Sequence, residues 1–304
     1  MEDIVIIGAG PAGLTAGIYA VRAGLKVRLL EKAVPGGQAI NTDWIENYPG
    51  FPEGIAGFEL MDRMRKQVEF LGINVENGEV KEISIKGDIK KVKTDKEEIE
   101  TKTIIICSGS TPRRLGIEGE EKLIGKGVSF CATCDGPFFR GQEVAVIGGG
   151  DSAVQEAIYL TKFARKVHLI HRRDKLRAAK LLQERAFKQE KINFIWNTVP
   201  VKIVGKDGVE GLELKNLKDE TISYLPVKGV FVFIGLIPNT SFLNNQLKTD
   251  ESGFLITDSE MQTSAEGVFA AGDVRSKLLR QISTAVGDGA IASFSAARYI
   301  EDMQ

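Results

Sequence analysis

The feature that most restricts how this chain can fold is a glycine loop that occurs twice. Asp3–Ile7 is a short apolar run, and Gly8-Ala9-Gly10-Pro11-Ala12-Gly13 follows it at once. Leu14–Arg22 then reads as a helix, Lys26–Leu30 as a second strand, and Glu31 ends that strand. Strand, G-x-G-x-x-G, helix, strand and acid form the fingerprint of a dinucleotide-binding βαβ unit. The first glycine permits the tight turn, the second lets a pyrophosphate approach the backbone, and the third lets the helix pack on the strand. The pyrophosphate would rest on the helix N-terminus, where free N–H groups favour anions. Further along, Glu143–Ile147 runs into Gly148-Gly149-Gly150-Asp151-Ser152-Ala153, with a helix over Val154–Phe163 and a strand over Lys166–Ile170.

The two units differ where they would meet a ribose. Gly8 and Gly148 stand 140 residues apart (148 − 8), and the same offset carries Glu31 onto His171. The acid that accepts from a ribose diol is therefore replaced by His171-Arg172-Arg173, with Arg177 one helical turn on. A carboxylate repels a 2′-phosphate, whereas arginine binds one through bidentate, charge-assisted bonds. The first site thus suits FAD or NAD and the second NADP. His168 reads as an ordinary strand residue, and His171 as shaping the adenosine pocket.

Between the units lies Cys131-Ala132-Thr133-Cys134-Asp135. Two thiols at this spacing suit a disulfide that opens and closes. Zinc would need a second ligand pair, and only Cys107, His168 and His171 remain, so no metal site is expected. A static structural disulfide is disfavoured because the N-terminus shows no secretory leader. Cys107, within an apolar run, reads as an inert core thiol.

The remainder is that of an ordinary globular chain: 304 residues, enough for two domains, 43% hydrophobic and 27% charged. A net charge of −1 gives no drive toward nucleic acid or an anionic membrane, and the longest apolar runs are strand-sized. The cytoplasm is the expected compartment. Phe58–Phe70 reads as an amphipathic helix, Ile73–Thr101 as a solvated β-meander, and Thr103–Cys107 and Val230–Ile234 as buried strands. Lys180–Gln189 reads as a helix and Asn193–Tyr224 as short strands. Gly267–Asp273 is a further strand with Asp273 at its C-terminal edge, where ligands sit in open parallel sheets. A small-residue helix from Arg280-Gln281-Ile282 to about Ile300 would turn its positive dipole end toward a flavin pyrimidine. The expected fold is α/β: two Rossmann-like, three-layer ββα dinucleotide-binding domains, the second (113–242) inserted into the first (1–112 and 243–304). Two linkers crossing at one place, near Arg113 and Leu243, make a natural hinge.

With these features in place the chain resembles the low-molecular-weight thioredoxin reductases, nearly end to end. The resemblance is carried by GAGPAG at 8–13, GGQ at 36–38, ENYPG at 46–50, CATCDG at 131–136, GGGDSA at 148–153, HRRD at 171–174, GVFAAGD at 267–273 and RQI at 280–282. It implies a homodimer with FAD, reduced by NADPH and passing electrons to thioredoxin or a thioredoxin-like or glutaredoxin-like protein. It implies that Cys134 lies against the flavin, that Cys131 attacks the partner disulfide, and that Asp135 acts as general acid and base.

The FAD residues the resemblance implies begin with Gly8, Gly10, Pro11, Ala12 and Gly13 in the first loop and Glu31 and Lys32 after it. Gly37, Gln38, Asn47, Val80, Ser108 and Gly109 follow, and Asp273, Arg280, Gln281 and Ile282 complete the set. For NADPH it implies Gly149, Gly150, Asp151, Ser152 and Ala153, then His171, Arg172, Arg173 and Arg177, with Ile234 and Gly235. Two departures stand out. Cys107-Ser108-Gly109 replaces the family's usual Ala-Thr-Gly, and Pro137 replaces an aromatic often seen after CATCDG, leaving Phe138-Phe139-Arg140, a change that bears on partner preference if those residues form the docking patch. Because reductant and disulfide both belong to the inserted domain and both must reach one flavin, two domain orientations are expected. The competing reading is a flavin-dependent NAD(P)H oxidase or reductase serving a peroxiredoxin or glutaredoxin-like partner. A ferredoxin-type reductase would leave the arginine cluster and GGGDSA without a purpose, and the non-enzymatic alternative is a redox-sensing or flavin-storage module that binds nucleotides without turnover, which Cys134→Ser discriminates.

Overall fold

The computed structural model of the chain describes residues 1–42 and 44–303. The chain divides into two compact units, Met1–Thr111 with Ile237–Gln304 and Pro112–Leu236.

Unit 1 begins with β1 (Glu2–Ile7), α1 (Pro11–Arg22) and β2 (Val27–Glu31). Helix α1 starts three residues earlier than its apolar pattern suggests. Gly10 is its extended N-cap and Pro11 sits in the first turn, where a missing N–H costs nothing. The turn into β2 uses Gly24 at φ +76°. Next come α2 (Gly57–Phe70), β3 (Val75–Asn77), β4 (Val80–Ser84), β5 (Lys90–Thr94) and β6 (Glu98–Ile106). The expected meander over 73–101 is only partly one. β3 pairs parallel with β2 and joins the main sheet, and the antiparallel turns begin at β4. At three residues, Val75-Glu76-Asn77, the edge strand β3 is too short to show an alternating pattern in the sequence.

The crossing strand β7 (Ser110–Pro112) leads into unit 2. There α3 (Glu120–Leu123), β8 (Val128–Ser129) and α4 (Ala132–Asp135) precede β9 (Glu143–Gly148), α5 (Asp151–Leu160) and β10 (Lys166–Ile170). Helix α5 stops short of the expected Phe163, where the Thr161 hydroxyl donates to the Ile158 carbonyl. Then follow α6 (Lys180–Phe187), β11 (Ile192–Ile195), the meander β12 (Thr198–Val204), β13 (Gly211–Asn216) and β14 (Ile222–Pro226), and β15 (Gly229–Phe233). The return strand β16 (Leu236–Pro238) pairs with β7. β17 (Val268–Ala270) and α7 (Ile282–Asp302) complete unit 1.

The chain re-enters unit 1 at Ile237 rather than at 243. Asn239 already bonds to Ser108 and Gly109, and Leu243 is buried in the unit 1 core.

Both units are three-layered, as the sequence implied. In unit 1 the parallel strands run β3-β2-β1-β6-β17, with β5 and β4 continuing antiparallel from the first half of β6. Alternation along β1 explains the layers. Ile4 and Ile6 point into the core shared with α1, α2 and α7, while Val5 and Ile7 face the meander side. Unit 2 repeats this with the order β11-β10-β9-β15-β8. Val144 and Val146 face the helices, and Ala145 and Ile147 face β12–β14. Burying such a side chain on each face contributes about 1.5–3 kcal/mol, which makes register expensive to change. Among the described residues no helix is long and apolar enough to cross a membrane.

Candidate functional site

The first glycine loop follows from close packing. Gly8 has φ +103°, and a Cβ there would stand 2.5 Å from the Cys107 carbonyl oxygen. A Cβ on Gly13 would fall 1.8 Å from the Gly8 carbonyl oxygen. Only glycine allows strand, turn and helix to approach in this way. The N-terminus of α1, with Gly10 as cap and Pro11 and Ala12 in its first turn, has no side-chain cap, leaving its N–H groups to a ligand. Glu31 accepts from the Ala9 N–H at 2.9 Å through Oε2 and from the Ala33 N–H at 3.0 Å through Oε1. These bonds fix the carboxylate and leave each oxygen a further lone pair for a ribose hydroxyl. Lys32 beside it is exposed.

Around this loop the unit gathers distant residues. Gly36 donates its N–H to the Ala9 carbonyl at 2.8 Å, which brings Gly37 against Gly10 and places Gln38 in the following turn. Asn47 Nδ2 donates to Gln281 Oε1 at 3.0 Å. Gln281 is the N-cap of α7, joined to Thr284 in a capping box, and Ile282 opens the helix. Ser108 Oγ donates to the Asn239 carbonyl at 2.7 Å, Asn239 Nδ2 donates to the Ser108 carbonyl at 2.8 Å, and the Asn239 N–H reaches Gly109 O at 3.0 Å. Val80, the first residue of β4, is half-buried against the meander-side core.

Asp273 emerges at the end of β17. Its Oδ1 is buried and has no hydrogen-bond partner, and burial pushes its carboxyl above the ordinary range, against the pull of Lys277 and Arg280. An orphaned acceptor at the C-terminal edge of a parallel sheet fits a ligand hydroxyl. Arg280 spends its guanidinium on the carbonyls of Asp273, Arg275 and Lys277 and lies 4.0 Å from the centre of the Phe254 ring. Cys107 is a buried free thiol, and burial raises its pKa.

In unit 2 the second loop has the same construction with a different partner. Gly149 stands at the position equivalent to Ala9, and a Cβ there would fall 2.3 Å from His171 Nδ1. His171 is buried, and its Nε2 has no hydrogen-bond partner. Burial, then Arg177, Arg173 and Arg172, hold its pKa below the usual histidine value, so the ring is neutral near pH 7. All three arginines are exposed, and each acts electrostatically on this one imidazole. The Arg177 N–H donates to Gly149 O at 2.7 Å, tying the arginine segment to the loop. Gly150 caps α5 without a side-chain bond. Asp151 accepts from the Ala179 N–H at 2.7 Å, Ser152 is exposed, and Ala153 is buried against β9. Gly235, at φ +117°, accepts from the Arg113 N–H, and Ile234 beside it is 38% exposed. His168 is a strand residue bonded to Glu143 and Asn193.

Cys131 and Cys134 are joined as a disulfide with Cα atoms 5.3 Å apart, both half-buried. Cys131 is the N-cap of α4. Its Sγ accepts the Cys134 N–H at 3.2 Å and lies 3.3 Å from Thr133 Oγ1, while Ser129 Oγ accepts the Cys131 N–H at 3.0 Å. Asp135 closes the turn, its N–H on the Cys131 carbonyl. Phe139 anchors the segment edge-on against Phe231, and Phe138 is 54% exposed. Three residues that bond to or face these segments, Asn239 at Ser108, Lys277 beside Asp273 and Asp288 at the Gly272 N–H, were not singled out by the sequence. Asn239 marked only a turn, and a lone acid within the small-residue helix was the sole sign of Asp288.

Fold and site together define a protein with two dinucleotide loops and a dithiol in the second unit. The family model of the pyridine nucleotide-disulphide oxidoreductases matches residues 2–289. The thioredoxin reductase of Listeria monocytogenes is 49% identical over 99% of this chain and 95% of its own. That of Bacillus subtilis is 46% identical over 99% and 96%. The crystal structure of thioredoxin reductase from Streptococcus pyogenes is 48% identical, covers 99% of both chains and superposes with a TM-score of 0.94. The chain belongs to the pyridine nucleotide-disulphide oxidoreductase family, among its thioredoxin reductases. Membership implies a flavin and a nicotinamide nucleotide as redox carriers.

Proposed function

We propose that this chain is a thioredoxin-disulfide reductase that takes electrons from NADPH, holds FAD on unit 1, and reduces thioredoxin or a thioredoxin-like protein through Cys131 and Cys134. The observation that carries the reading is the Cys131–Cys134 disulfide in the same unit as a glycine loop to which the arginine segment is tied through the Arg177 N–H and the Gly149 carbonyl. Glu31 in one loop and Arg172, Arg173 and Arg177 on the segment tied to the other support a free ribose diol in the first and a 2′-phosphate in the second. The uncapped α1 N-terminus and the orphaned Asp273 Oδ1 fit a pyrophosphate and a polyhydroxyl chain. When bound, the flavin supplies the two-electron relay between nicotinamide and disulfide.

The thiol steps belong to this chain's own residues. Two electrons and two protons open the disulfide to the two thiols. Cys131 Sγ, which receives the Cys134 N–H, is the sulfur better supported as a thiolate. Its thiol proton passes to Asp135, and the thiolate attacks one sulfur of the partner disulfide and releases the other as a thiolate, which takes that proton from Asp135. Cys134 then gives up its own proton, through Asp135, to the partner sulfur that leaves as it attacks Cys131, freeing the partner as a dithiol and restoring the intramolecular disulfide. Because the dithiol and the second glycine loop share unit 2 while the flavin residues lie in unit 1, unit 2 turns about the crossings β7 and β16 during turnover. The resemblance further supports a homodimer in the cytoplasm.

Steady-state reduction of thioredoxin tests the reading. NADPH is preferred over NADH, and Arg172→Ala with Arg173→Ala raises the NADPH KM by about tenfold or more while changing that for NADH little. Equal use of both nucleotides by the wild type overturns the NADPH assignment.

A further inference from the structure

Unit 1 contains a cluster of charges that none of the roles above employs. Asp288, on the inner face of α7, accepts the Gly272 N–H at 3.0 Å, pairs with Arg275 Nη1 at 2.8 Å and with Lys277 Nζ at 3.0 Å. The Lys277 side chain is only 10% exposed. Its ammonium also donates to Thr284 Oγ1 at 3.2 Å and stands 3.7 Å from Asp273 Oδ1, within ion-pair range but too far for a hydrogen bond. Thr284 in turn accepts the Gln281 N–H as the third residue of the α7 capping box. One ammonium therefore joins the acid at the end of β17, the acid inside α7 and the cap of α7.

We propose that Lys277 is a positioning residue for the polyhydroxyl chain of the flavin: its shared ammonium locks Asp273 and the first turn of α7 into a single receptor. The inference rests on the reading of unit 1 as the flavin site. An ammonium has three protons, and two are spent on Asp288 and Thr284. The third faces Asp273 at 3.7 Å, near enough to act on its charge but too far to hydrogen-bond, so Oδ1 keeps its capacity to accept a hydroxyl. The charges that reach Asp273 are Lys277 and Arg280 from its own loop and Asp288 from α7. Arg275 is committed to Asp288, and Asp250 faces Arg280. Arg280 is held on three carbonyls, which leaves Lys277 as the cation able to close on Asp273.

As a carboxylate Asp273 only accepts, whereas protonation turns one of its oxygens into a donor and weakens it as a receptor for hydroxyl protons. Burial favours the protonated form and Lys277 opposes it. Flavin retention is therefore full above the pKa of Asp273 and lost as pH falls through it. Removing the Lys277 charge moves that loss to higher pH.

The test uses holoprotein, diluted and filtered at a series of values from about pH 5 to about pH 8, with released flavin read by its fluorescence. Lys277→Met is expected to weaken flavin retention by about tenfold at neutral pH and to raise the midpoint of release by about one pH unit. Lys277→Arg is expected to restore most of both. Retention by Lys277→Met equal to wild type across the series overturns the proposal, as does Lys277→Arg failing as badly as Lys277→Met. Should Lys277→Met lose its cooperative melting transition, Lys277→Gln decides, since it keeps donors and drops only the charge; a wild-type midpoint there also overturns it. A wild-type protein without flavin would instead remove the reading of unit 1.

Discussion

Asn47 and Gln281, 234 residues apart in sequence, are joined by a 3.0 Å hydrogen bond that ties the first nucleotide-binding half of unit 1 to the N-terminus of its last helix. The bond connects two of the residues proposed for the flavin, and Gln281 is also the N-cap of α7.

Gln281→Ala removes the side-chain half of the capping box and the bond to Asn47. A loss of about 1 kcal/mol in stability is expected from the cap. Flavin release should also rise, because the first turn of α7 is no longer held. Melting curves paired with the fluorescence of released flavin check both. An Asn47→Ala protein should show the flavin effect with a smaller loss of stability.

The second glycine loop gives a sharper test. Gly149→Ala puts a methyl group 2.3 Å from the His171 ring, whereas the equivalent Ala9 already carries one. Displacing the buried imidazole costs about 1–3 kcal/mol and shifts the arginine segment whose Arg177 N–H is held by the Gly149 carbonyl. The expected outcome is a raised NADPH KM with flavin content unchanged, measured by kinetics and by the absorbance of the purified protein.

Glu156, on α5, has a buried Oε2 with no partner, and burial raises its carboxyl pKa. A folded pKa above the unfolded one means that the group's contribution is fully present below the unfolded pKa and is lost as pH rises through the folded value. Glu156→Gln should therefore leave the Tm unchanged near pH 4 and raise it by about 2 °C near pH 8. A lower Tm at the higher pH contradicts this account.

Both nucleotide loops were legible because their information is local. Glycine spacing, the flanking apolar runs and the residue ending the second strand lie within about 25 residues of one another, and each has a steric reason. The replacement of Glu31 by His171 at a fixed offset could be read without coordinates. What could not be read depends on long-range pairing. Asn239 clamps Ser108 and Gly109 across 131 residues and sets the return crossing earlier than composition suggested. β3 looked like part of a solvated meander because it is only three residues long and lies in a charged stretch, and only its register with β2 shows that it belongs to the parallel sheet. Lys277 and Asp288 drew no reading at all, because helix periodicity does not show which polar residue meets a neighbouring strand end.

The most direct test of the central claim is Cys134→Ser mixed anaerobically with NADPH and followed at the flavin absorbance bands, with thioredoxin reduction assayed in parallel. Bleaching at a rate near that of wild type with thioredoxin reduction lost is the expected result. A colourless protein, or thioredoxin reduction retained without Cys134, would contradict the account.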